Sequence, residues 1–90
     1  MKHFPIEPRI AIVPDRRPGR WLVTLSCADR PGLLSAVARL FLRNDLNLID
    51  ARINTLGARA EDAFVVNGAA VEDPVSREAI VEELRQTIAG

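Results

Sequence analysis

Asp29-Arg30-Pro31-Gly32 separates two hydrophobic periods, and this change constrains the fold more than any other feature of the chain. Upstream, Trp21, Val23, Leu25 and Cys27 recur at every second position, the spacing of side chains on one face of a strand. Downstream, Leu33, Leu34, Val37, Ala38, Leu40 and Phe41 recur at helical spacing, with Ser35, Arg39 and Arg43 on the other side. That pattern predicts a helix running to about Asn44. After Asn44-Asp45 the period returns to two. Ile49, Ala51, Ile53 and Thr55 take one face and Asp50, Arg52 and Asn54 the other, the pattern of a half-buried strand. A strand following its crossover helix runs parallel to the strand before it, so Asn47 is expected at the opposite end of the sheet from Asp29.

The remaining segments fit around this unit. Pro5, Pro8, Pro14 and Pro18 leave only Arg9 to Val13 free to form a strand near the start, and an edge one. Turn residues from Pro14 to Gly19 join it to Trp21–Ala28 as a hairpin. Gly57-Ala58-Arg59-Ala60 breaks the later strand pattern and Asp62 to Asn67 resumes it, a second hairpin with Phe64 and Val66 pointing inward. Asp73-Pro74 reads as an N-cap followed by a first-turn proline, Ile80, Val81, Leu84 and Ile88 form the stripe of a last helix, and Gly90 ends it.

The order strand, strand, helix, strand, strand, helix predicts an α+β sandwich: an antiparallel-rich, four-stranded sheet with both helices on one face. Inside it lies a ferredoxin-like β-α-β-β-α core lacking its usual last strand. Arg9 to Val13 is expected to fill that slot beside Trp21–Ala28. Residues 1–8, polar and proline-rich, read as an interdomain linker, and residues 9–90 as the domain.

Composition narrows the class of partner. Ninety residues, 48% of them apolar, suffice for one small core but not for a deep substrate cavity. Twelve basic and twelve acidic side chains cancel, so no long-range field draws the chain to nucleic acid or to an anionic membrane, and a neutral or zwitterionic partner fits better. The single Cys27 excludes an internal disulfide, and with His3 as the single histidine there is no ordinary Cys/His zinc site, which points to a reducing, cytoplasmic setting. No apolar run approaches the ~20 residues that span a bilayer.

Each residue of the joint suits a helix start. Asp29 can accept from first-turn N–H groups, Pro31 needs no donor there, and Gly32 leaves the approach to those groups uncrowded. Two roles are open: a plain cap, or a helix N-terminus facing a carboxylate, with Arg30 adding a charge-assisted bond and Asp29 facing an ammonium group. Asn47 reads as a turn residue or as a contact reaching the joint from a neighbouring copy. Asp50, Arg52 and Asn54 read as a solvated face, Cys27 as a buried thiol, Trp21 as packing, and Glu61-Asp62 as hairpin surface.

No catalytic set is present: there is no Ser/His/Asp arrangement, no phosphate-binding loop with lysine and no dinucleotide fingerprint. An RNA-binding sheet is disfavoured, because the aromatics are only Phe4, Trp21, Phe41 and Phe64 and no basic-aromatic strand motif occurs.

The run Asp29-Arg30-Pro31-Gly32-Leu33-Leu34, followed by Asn47-Leu48-Ile49-Asp50-Ala51-Arg52-Ile53 and Thr55-Leu56-Gly57, resembles the ACT domain family of amino-acid sensors. With Lys2-His3-Phe4-Pro5-Ile6-Glu7-Pro8 and Glu61-Asp62-Ala63-Phe64 added, the whole chain is similar to the C-terminal ACT domains of bacterial enzymes that add UMP to the PII signal protein and remove it. The resemblance implies a regulatory module through which glutamine reports nitrogen status. The nucleotidyltransferase and hydrolase sites of the parent, and its Mg2+, would lie in upstream domains. It also carries an effector-binding role onto Asp29, Arg30, Gly32, Leu33 and Leu34, with Asn47, Leu48 and Ile49 supplied by a second ACT domain. The family's last strand is missing from the C-terminus, a departure that leaves the usual side-by-side edge pairing open.

Overall fold

The computed structural model describes residues 6–89; residues 1–5 of the expected linker, with His3 and Phe4, and the expected terminator Gly90 lie outside them. The elements are β1 (Arg9–Pro14), β2 (Trp21–Ala28), α1 (Leu33–Arg43), β3 (Asn47–Leu56), β4 (Arg59–Asn67), α2 (Ala69–Glu72) and α3 (Pro74–Ala89). The sheet order is β1-β2-β4-β3 and every neighbouring pair is antiparallel, so β2 and β3 run the same way with β4 between them. This is the expected sandwich. β1 fills the expected slot beside β2, pairing from Arg9 opposite Ser26 to Pro14 opposite Trp21.

The core lies between sheet and helices. Val23, Leu25 and Cys27 of β2 and Phe64 and Val66 of β4 meet Leu33, Val37, Leu40 and Phe41 of α1 and Ile80, Leu84 and Ile88 of α3. Phe41 and Phe64 pack edge to face with ring centroids 5.4 Å apart, the favoured geometry for an aromatic pair. Trp21 is half-buried; its indole N–H donates to Glu72 at 3.0 Å, and the Arg77 guanidinium sits 4.3 Å from the ring centroid. Asp73 caps α3 as expected, its carboxylate accepting from the Ser76 N–H at 2.8 Å.

The structure departs from the sequence reading of the fold at three points. The first concerns β3, expected to be half-buried with Ile49 on its covered face. Every residue of β3 is exposed, because it is the outermost strand on its side of the sheet. A β-bulge between Leu48 and Asp50 also shifts the register at Ile49. Leu48, Ala51 and Ile53 therefore pair with Val66, Phe64 and Asp62 on the helix side, since one inserted residue flips every side chain before it.

The second concerns Asp62. It is not hairpin surface but core, 3% exposed, while its neighbour Glu61 is exposed. The alternation that turns Phe64 and Val66 inward turns Asp62 inward as well. The third is α2, a single turn too short to show a helical period. It follows Gly68, at φ 149°, where an added Cβ would stand 2.8 Å from the Leu46 side chain and 2.9 Å from the Asp45 carbonyl. Close approach of two chain segments requires glycine there.

Candidate functional site

The joint leaves the sheet at Ala28 and is tied down immediately: the Asp29 N–H donates to the Ala58 carbonyl, in the turn between β3 and β4, at 2.8 Å. Gly32 is the N-cap residue of α1 with φ 82°, the left-handed conformation that favours glycine. Nothing lies within 4 Å of where its Cβ would be, so the backbone angle, not crowding, makes glycine the fitting residue. The capping role read for Asp29 is not realised, since α1 has no side-chain cap. Asp29 stands three residues upstream of Gly32, too early to reach the first turn, and its own backbone is held by Ala58.

The start of α1 is consequently open. The Leu33 N–H bonds to the Arg30 carbonyl at 3.3 Å and the Ala36 N–H to the Gly32 carbonyl at 2.9 Å. The N–H groups of Leu34 and Ser35 between them have no hydrogen-bond acceptor among the described residues. Two adjacent donors at the positive end of a helix dipole form a site suited to a carboxylate.

Arg30 is directed elsewhere. Its Nη2 donates to the Thr87 carbonyl, in the last turn of α3, at 2.6 Å, and its buried Nε has no acceptor. Cys27, next to this end of the sheet, is buried, and burial together with the Asp62 charge pushes its thiol pKa up, as befits a packing thiol rather than a reactive one. Asp62 accepts from the Asn54 N–H of β3 at 3.2 Å. Burial raises its pKa, a shift that this bond partly opposes and the Asp29 charge adds to.

Leu33 is buried beneath the joint, whereas Leu34 is 42% exposed. Leu34 lines an apolar groove of about 220 Å³ with Ala38 and Phe41 of α1, Leu48, Ala51 and Ile53 of β3, and Phe64 of β4. Asn47, Leu48 and Ile49 stand at the other end of β3. Asn47 is opposite Asn67 and donates to it through Nδ2 at 2.9 Å, while Leu56, at the joint end, is opposite Arg59. The length of β2 separates the two groups, roughly 23 Å at ~3.3 Å per residue. Within one copy of the chain, then, the structure brings Asp29, Arg30, Gly32, Leu33 and Leu34 together; of the second group only Leu48 meets them, across the groove from Leu34, while Asn47 and Ile49 stand apart. A concavity of about 770 Å³, lined in part by Arg9, Thr24, Ser26 and Glu61, contains no joint residue.

Sequence reasoning missed the Arg30–Thr87 link, for which spacing gives no signal, and the groove, which the bulge creates. It also missed Asp62, which strict alternation from Phe64 would have found.

Comparison with known proteins adds a family and its setting. The ACT domain profile matches residues 21–89, from the first residue of β2 to the end of α3. The chain is 41% identical over 87 residues, 97% of its length, to a bifunctional uridylyltransferase/uridylyl-removing enzyme of Bordetella pertussis, of which it covers 10%. The enzyme of the same description from Chromobacterium violaceum is 45% identical over 73 residues, 81% of this chain and 8% of that protein. The chain thus spans about a tenth of the length of these relatives. Among solved structures, one described as a glycine cleavage system transcriptional repressor superposes with a TM-score of 0.63 at 26% identity, covering 78% of this chain and 40% of that one.

Proposed function

The chain belongs to the ACT domain family, and from that premise we propose that it is the effector-binding regulatory module of a larger cytoplasmic enzyme that attaches UMP to the PII signal protein and removes it, with L-glutamine as effector. The observation that carries this reading is the pair of unpartnered N–H groups of Leu34 and Ser35, left open behind Gly32 because Asp29 does not cap them. They offer a carboxylate two charge-assisted bonds at a helix N-terminus. The relatives' name supports the choice of parent enzyme. On this reading residues 1–8 link the module, residues 9–90, to upstream domains. Any Mg2+ would belong there too on this reading; among the described residues no three His, Cys, Asp or Glu side chains gather where they could hold a metal ion.

The bare β3 edge bears on how the site is completed. Two copies paired antiparallel along β3 about a two-fold axis would set the partner's Asn47 against Leu56, two residues from the Ala58 carbonyl that holds Asp29. The joint would then be joined by Asn47, Leu48 and Ile49 of a second ACT domain. A second reading rests on the same edge: a module that only docks on a partner, through β3 and the exposed Leu34 and Leu48, without holding a ligand.

Titration calorimetry separates the two. Glutamine is expected to release or absorb heat with this chain, or with a longer protein carrying a further ACT domain. Heat from the longer one alone means a shared site, and no heat from either sinks glutamine sensing and leaves the docking reading.

A further inference from the structure

The Nε–H and Nη2 groups of an arginine lie along one edge of the guanidinium, spaced to grip the two oxygens of a carboxylate. In Arg30 that edge is half used. Nη2 donates to the Thr87 carbonyl at 2.6 Å, across 57 residues of sequence, and Nε is buried with no acceptor. A buried donor left unpaired is costly, so the side chain is poised for a better acceptor.

Its present acceptor matters to α3. Helices end on carbonyls with no internal partner, and a cation in the last turn ordinarily offsets the negative end of the dipole. α3 has no basic residue in its last turn. Arg30, arriving from the joint, supplies that charge. The open N–H groups of Leu34 and Ser35 begin only four residues further along the chain.

We propose that Arg30 is an exchangeable clamp: it holds the last turn of α3 in the empty domain and turns to the effector's carboxylate when the joint is occupied, releasing that turn. The inference rests on the joint being an effector site and deepens it, because it names the element that carries the signal away. An anionic acceptor on both Nε and Nη2 outcompetes one neutral carbonyl on Nη2 alone. The released segment is the C-terminal end of α3, Gln86 to Ala89, at the opposite end of that helix from the Trp21–Arg77 stack.

Amide hydrogen exchange, run beside calorimetry on the same 90-residue chain, tests this. Saturating glutamine is expected to speed exchange of the Gln86–Ala89 amides on the order of ten-fold, the factor carried by losing one bond to a charged group. Arg30→Met keeps the stem but removes both the charge and the fork. In this variant the same amides are expected to exchange fast without ligand and to stay unchanged with it, while the rest of the core keeps its protection. Heat on glutamine addition with Gln86–Ala89 unchanged or better protected in the unsubstituted chain overturns the clamp and leaves the effector reading standing. No heat either from this chain or from the longer protein carrying a further ACT domain removes both.

Discussion

β1 and β3 are the two edges of one sheet, and they are finished in opposite ways. β1 is six residues long, begins just after Pro8 and ends on Pro14, and its Ile10 and Ile12 pack against the core. Residues without an N–H and a short length are the usual means of blunting an edge against further pairing. β3 is ten residues long, holds no proline and is exposed from Asn47 to Leu56, with Leu48 and Ile53 each 48% exposed beside the α1 groove. One donor on it is locally satisfied, the Ala51 N–H by the Asp50 carboxylate at 2.9 Å. The lesson is that the apolar surface of this chain was not distributed to bury itself evenly. The β1 flank is covered within the chain and the β3 flank is left exposed.

The largest effect expected separates core from flank. Leu84→Ala removes a fully buried side chain of α3 and should lower stability by about 2–5 kcal/mol, whereas Ile53→Ala should change the stability of the dilute chain by less than about 1 kcal/mol. Urea unfolding at low protein concentration measures both. Equal losses would mean that β3 is covered after all, and the contrast between flanks would be broken.

A smaller loss is expected at the entry to β3. Gly68→Ala places a methyl group against the Leu46 side chain and the Asp45 carbonyl, so the segment leading into β3 must shift, at a cost of about 1–3 kcal/mol. Thermal unfolding checks it, and an unchanged midpoint would show that the Leu46 segment is free to move.

Smaller again, and confined to association, is the effect of a charge on the bare edge. Leu48→Lys should weaken self-association by at least about tenfold, roughly 1.4 kcal/mol, without lowering the dilute melting temperature. Val13→Lys, at an exposed position of β1, should leave association unchanged. Sedimentation velocity over a concentration series reads both. Equal weakening by the two lysines would remove the distinction between edges.

Much of this was legible in the sequence, for identifiable reasons. Long periodic segments announce themselves: the α1 stripe, the Asp73 cap, the inward Phe64 and Val66, and the slot filled by Arg9–Pro14 all follow from spacing and turn chemistry. What escaped depends on contacts that spacing does not encode. A single inserted residue at Ile49 exchanged it with Leu48 on the helix side, and Asp29 looked like a cap until Gly32 proved to hold that position. The joint was readable as a helix start. Its open N–H pair and the reach of Arg30 to Thr87 were not, because both depend on where the chain comes to lie.

Asp62 yields the finest test, because among the described residues it is the one buried charge that binds the bare flank to its neighbour, through the Asn54 N–H of β3. Burial raises its folded-state pKa above the ordinary aspartate value of 3.8. A raised carboxylate favours the folded state most when protonated. Its contribution is therefore fully present below pH 3.8, where both states carry the proton, and is lost as pH rises through the folded-state pKa. Asp62→Asn keeps an oxygen for the Asn54 N–H and removes the charge. It should raise the melting temperature at pH 7 and show no gain at pH 3, and the gain should appear between those limits as the carboxylate ionises. Asp73 supplies the opposite sign in the same molecule. Hydrogen bonds from the Ser76 N–H and side chain hold its pKa below the usual carboxylate value, so its contribution is lost as pH falls, and Asp73→Asn should cost stability at pH 7 that vanishes in acid. Melting curves of both variants from pH 3 to pH 8 should therefore diverge in opposite directions from the unsubstituted chain. A loss of stability at pH 7 in Asp62→Asn would mean that the carboxylate, despite its burial, is a net tie between β3 and β4, and that the bare flank is held more firmly than its exposure indicates.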